Sequence, residues 1–143
     1  MARTPKKSKK QRAGAALEAL VARRLTDAGY TVEVARPTVY WAGHRCRACG
    51  RPPIPRTIAH DMFGCVDVLA FHATRGWTAV QCGGAGSQAS KRRALDGRSW
   101  PSCTTLMVVT PDGRKGSTGV RVWRRAVYQD TDTIWREAQE IEA

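Results

Sequence analysis

His60-Asp61-Met62-Phe63-Gly64-Cys65-Val66-Asp67-Val68-Leu69-Ala70-Phe71 is followed, four residues on, by Gly76-Trp77-Thr78-Ala79-Val80-Gln81-Cys82. Residues 63–71 are rich in Val and Leu and read as a strand. The turn residues Thr74-Arg75-Gly76 lead into a second strand at 77–82. Folded back as a hairpin, the pair brings residues 67 and 81 to the same open end. Asp67 opens the apolar part of its strand, and Gln81 lies near the end of the next. A carboxylate, an amide oxygen and the backbone carbonyl of Cys82 would make a hard oxygen site suited to Mg²⁺ or Mn²⁺. Glu18, on an upstream helix, adds a second carboxylate. A divalent ion held this way activates water and stabilises charge during phosphoryl transfer. Asp61 is a further candidate, as an outer-sphere contact or as a plain turn residue.

Outward from the hairpin, residues 11–28 carry Leu17, Leu20, Val21 and Leu25 at helical spacing, with Gly29 as a stop. Residues 30–35 alternate like a strand. Residues 37–59 read as a long irregular loop with four prolines, Pro37, Pro52, Pro53 and Pro55. Downstream, Gly83-Gly84-Ala85-Gly86-Ser87 is a flexible connection, and Ser87 is placed to cap a basic helix at 88–95. An apolar strand at 104–110 ends at Pro111-Asp112-Gly113. A last strand or hairpin arm covers 119–128, and a terminal amphipathic helix runs from 132 or 133 to 142. The order α-β-β-β-α-β-β-α predicts an α/β fold, with a mixed central sheet flanked by helices.

The 143 residues suffice for one domain. We read residues 1–12 as a disordered basic arm, with six bases and no acid, and residues 13–143 as the domain. Net charge is +12 and the pI about 10.3, which favours a polyanionic partner. Five acids and Arg136 occupy the stretch from Asp130 onward, so a nucleic-acid surface is expected on the body of the domain. No run of some 18 apolar residues exists, which argues against a membrane span, and the N-terminus lacks an apolar signal region. Five cysteines without such a signal suggest reduced thiols or metal ligands in a cytoplasmic protein.

With Glu18, Asp67 and Gln81 in this order, the chain resembles the PD-(D/E)XK nuclease superfamily. More narrowly it is similar to archaeal-type Holliday junction resolvases and their bacteriophage relatives. Glu18 matches the first-helix Glu, Asp67 the motif Asp, and Gln81 the acidic position of the acid-x-Lys step. The resemblance covers roughly residues 11–110 and implies a restriction-endonuclease-like αβββαβ core. Val66 replaces the motif proline. Gln81 keeps an oxygen but not a charge. Gly83 stands where lysine is expected, and Lys91 on the next helix is the nearest substitute. The implied protein is a homodimeric hydrolase of DNA recombination, its interface supplied by the strand at 104–110 or by the terminal helix.

Two further groups are candidates. His44-Arg45-Cys46-Arg47-Ala48-Cys49-Gly50 holds a C-x-x-C knuckle, half of a structural Zn²⁺ site, with His44 and His60 as completing ligands and Cys65 a weaker one. The alternative is a pair of free thiols. For DNA phosphates, Lys91, Arg92 and Arg93 flank the site, Arg45, Arg47, Arg51 and Arg56 extend the surface from the loop, and Arg114, Lys115, Arg121, Arg124 and Arg125 form a third group. None carries an evident sequence code. Trp41 and Trp100 are candidates for stacking on unpaired bases, or for the core. The expected function is a metal-dependent endonuclease for branched DNA. A non-catalytic nucleic-acid-binding module of the same fold and a zinc-stabilised adaptor stay open.

Overall fold

A computed structural model describes residues 8–36, 38–42, 54–58, 62–127 and 134–142, with 38–42 and 54–58 described by backbone alone. Helix α1 spans Lys9–Asp27. It starts two residues before the expected start, because Ser8 and Gln11 form a capping box. Ser8 Oγ accepts from Gln11 N–H at 3.2 Å, and Gln11 Oε1 accepts from Ser8 N–H at 2.9 Å. Lys9, Lys10 and Arg12 of the expected arm are therefore helical. The helix ends in a Schellman motif at Gly29, φ +91°. Gly29 N–H bonds to Thr26 O, and Tyr30 N–H bonds to Leu25 O.

The strands are β1 (Thr31–Val34), β2 (Thr38–Ala42), β3 (Ile54–Ile58), β4 (Val68–His72), β5 (Gly76–Cys82), β6 (Thr104–Pro111), β7 (Val120–Val127) and β8 (Arg136–Ala138). Helix α2, Gln88–Asp96, joins β5 to β6. Six strands form one mixed sheet in the order β1-β4-β5-β6-β7-β8. Among the described strands only β5 and β6 pair in parallel, the pairing that a helical crossover requires. Strand β6 is central, and its run Leu106-Met107-Val108-Val109 is buried on both faces. Met107 and Val109 join Leu17, Val21 and Leu25 of α1. Leu106 and Val108 join Leu95 of α2. The protein is thus α/β, with one helix on each face of a mixed sheet.

Three elements differ from expectation. The segment 37–59 is not wholly irregular: β2 and β3 pair antiparallel as a separate two-stranded sheet. Pairing extends through Pro55, opposite Trp41, a position allowed on the edge of so small a sheet. The first hairpin strand starts at Val68 instead of 63, since Met62 and Val66 close a tight turn by an isolated bridge. The terminal helix is replaced by β8. Its apolar residues have helical spacing, yet the fold sends them to opposite faces. Trp135 packs on the α2 side, while Ala138 and Ile141 pack on the α1 side. An extended chain can reach both faces and pair with the edge of β7, where Arg121 binds Glu137 at 2.9 Å. Of the two elements expected at a dimer interface, β6 is internal to the sheet, and the described residues 134–142 form no helix. No helix among the described residues is long and apolar enough to cross a membrane.

Candidate active site

The β4–β5 ladder pairs Val68 with Val80. Asp67 N–H also bonds to Val80 O, at 2.9 Å. Two consecutive residues thus oppose one, the geometry of a β-bulge, which turns a side chain out of the ordinary alternation. The Asp67 carboxylate accepts the Cys82 N–H at 2.7 Å. Asp67, Gln81 and Cys82 are therefore neighbours at one end of the hairpin.

Cys82 records what surrounds it. Burial pushes its thiol well above the ordinary range; the charges of Asp67 and then Glu18 push the same way, and Lys91 opposes them. Glu18, from α1, and Lys91, from α2, thus both lie within electrostatic reach of the sulfur beside Asp67. They come from opposite faces of the sheet.

Lys91 crosses at Gly83. A Cβ on Gly83 would lie 3.0 Å from Lys91 Cε and 2.4 Å from Ser87 Oγ. The missing side chain at 83 is what lets the α2 lysine lie over the end of β5. Ser87 does not cap α2 by its side chain; its hydroxyl donates to Gly84 O at 2.6 Å and closes the glycine-rich turn.

Gln81 is buried, and its Oε1 has no hydrogen-bond partner among the described residues. Such an orphaned oxygen is costly and points to an absent partner. Among the described residues no group of three or more His, Cys, Asp or Glu is arranged to hold a metal. The Asp67 and Glu18 carboxylates, both near Cys82, are oxygen donors of the kind Mg²⁺ takes, while it keeps several waters for substrate oxygens to replace. Gln81 alternates with Ala79 to the α2 side of β5, whereas Val80 and Cys82 belong to the α1-side core.

His44, Cys46, Cys49, His60, Arg45, Arg47, Arg51 and Asp61 lie outside the described residues, as do the side chains of Arg56 and Trp41. Cys65, the weaker zinc candidate, is buried in the α2-side core. The basic groups separate. Arg93 is exposed, although its Nε donates to Ala89 O. Arg92 lies over the Trp123 ring at 4.3 Å. Arg114 and Lys115 are exposed. Arg121, Arg124 and Arg125, expected to meet phosphates, serve the fold instead. They bond to Glu137, to the Glu140 and Ile141 carbonyls, and to Asp96. One C-terminal acid, Glu137, two C-terminal backbone carbonyls and Asp96 of α2 claim these cations, a pairing that charge counting along the chain does not show.

Sequence reasoning missed an aromatic cavity walled by Phe63, Trp77 and Trp100. Its contributors are scattered over forty residues, and no local pattern joins them.

No protein-family model matches this chain, and neither do the curated proteins or the solved structures compared with it.

Proposed function

We propose that this protein is a metal-dependent DNA endonuclease of the PD-(D/E)XK type, acting on branched DNA in the manner of a Holliday junction resolvase. The observation that carries the proposal is Lys91 over Gly83, within electrostatic reach of the Cys82 sulfur, as the bonded Asp67 and Glu18 also are. A cation from another element would take the part that superfamily gives to the lysine of the strand. The order α1-β1-β4-β5-α2-β6, with the β2–β3 hairpin as an insertion, also matches an αβββαβ core. The charge of +12 suits a polyanionic substrate.

Asp67, Glu18, Gln81 and the Cys82 carbonyl would hold Mg²⁺ or Mn²⁺. When bound, the ion supplies a lowered pKa for water and charge stabilisation at the scissile phosphate. The Lys91 ammonium would orient the attacking water and counter the growing negative charge. Arg93, exposed two residues on from Lys91, would hold a flanking phosphate. Symmetric cutting of a junction needs two sites, so a homodimer belongs to the proposal.

Labelled four-way junction and matched duplex test it, each with Mg²⁺ or EDTA. The expected outcome is metal-dependent junction cutting that falls at least about a hundredfold in Asp67→Asn and Lys91→Met, with binding retained. Gln81 in place of a carboxylate favours a second reading, a binding module that no longer cuts. Salt-sensitive binding without cutting by any of the proteins would establish that reading instead.

A further inference from the structure

On the α2 face, Phe63, Leu69, Trp77, Arg98, Trp100 and Thr104 line a cavity of about 740 Å³. That is ordinary for a small-molecule site. Its walls are unusual for a surface. Phe63 is 64% exposed and Trp77 43%. Phe63 sits at φ +54°, a left-handed conformation that is strained for a bulky residue. The Met62–Val66 bridge holds it there, with Cys65 and Val66 buried as anchors. Phe63 meets Trp100 edge to face, centroids 6.2 Å apart, and Trp77 leans on Phe71 at 4.9 Å.

Polar residues accompany the rings. Thr104 lines the cavity but is 2% exposed, and its Oγ1, without a partner among the described residues, is closed to solvent. Arg98 is exposed at the rim, with Nη2 3.0 Å from where a Cβ on Gly64 would sit. Aromatic walls select a flat π-system. A rim guanidinium selects a neighbouring phosphate. The cavity also lies near the candidate active site: its wall residue Leu69 is two positions along β4 from Asp67, about 7 Å by strand rise.

We infer that this cavity receives an unstacked nucleobase of the bound DNA strand, with the adjoining phosphate on Arg98. The inference deepens the DNA reading and rests on it. The base stacks against Phe63 and Trp77. A branched substrate supplies such a base at little cost, because bases at a branch are already partly unpaired.

The test uses the full chain and two single-stranded oligonucleotides, one with a central 2-aminopurine and one abasic at that position. The expected result is a change in aminopurine emission on binding and roughly tenfold tighter binding than for the abasic strand. That advantage should be lost in Trp77→Ala and kept in Thr104→Val, a same-shape change behind the cavity wall, with thermal melting unchanged in both. Equal binding of the two strands, with emission unmoved, overturns the inference and leaves the DNA reading intact. No binding of either strand overturns both. Binding of free 2-aminopurine riboside monophosphate without a strand preference also overturns it, in favour of a nucleotide site.

Discussion

Helices α1 and α2 cover opposite faces of one sheet, and they cover them unequally. The first has 19 residues and sets Leu17, Val21 and Leu25 into a layer of Val68, Val80, Met107 and Val109, which Ile141 closes. The second has nine residues and buries Leu95. Trp100, Trp123 and Trp135 fill part of what remains, and the aromatic cavity is the rest. A long amphipathic helix seals its face. A short one leaves room, and the α2 side is where Lys91 and the exposed aromatic rings lie.

Core truncation on each side should expose this division most strongly. Leu25→Ala and Leu95→Ala each remove a fully buried side chain, at a cost of about 3 kcal/mol. Chemical denaturation checks that cost. Junction cutting, assayed well below the melting temperature, should survive Leu25→Ala and fall in Leu95→Ala, because α2 carries Lys91. Equal cutting by the two variants would break the comparison.

Gly83→Ala should have a smaller effect of the opposite character. The new Cβ meets Ser87 Oγ at 2.4 Å and Lys91 Cε at 3.0 Å, and the lysine is the partner free to swing away. Cutting should drop roughly tenfold, the loss of a well-placed charge, while the melting temperature barely moves. A large fall in melting temperature instead would mean that the turn, and not the lysine, bears the clash.

The smallest effect is on pH dependence. With its pKa raised, the folded Cys82 thiol keeps its proton above the ordinary thiol range, where the unfolded thiol loses it. The stabilisation is present below that range and declines as pH rises through it, by at most about 1.4 kcal/mol per pH unit. Denaturation midpoints at pH 7 and pH 10 should therefore diverge more for the native protein than for Cys82→Ala. An equal difference would show that neither burial nor the neighbouring charges hold the proton on the sulfur.

Much of this was legible in the chain. The β4–β5 hairpin follows from alternation broken by Thr74-Arg75-Gly76, and its register brings Asp67 beside Cys82. The resemblance drew attention to Gly83 and Lys91, and the structure lays the Lys91 side chain against that glycine. Other features were hidden for definite reasons. Trp135, Ala138 and Ile141 keep helical spacing because β8 must serve two faces at once. Prolines hide β2 and β3 because a two-stranded sheet has edges where they fit. The bulge at Asp67 depends on which carbonyl its N–H finds, and Thr104 meets Phe63 only after the sheet is assembled.

The parallel pair at the centre of the sheet has a consequence for synthesis. Strand β5 leaves the ribosome before its partner β6. Until residues 104–111 follow, the edge of β5 that β6 will cover stays open, beside Ala79, Val80 and Cys82, all buried in the finished fold. An open apolar edge of this kind is a template for pairing with other chains. Helix α2 and the turn after it therefore set a delay during translation, and chains released within that interval carry the protein's greatest tendency to aggregate.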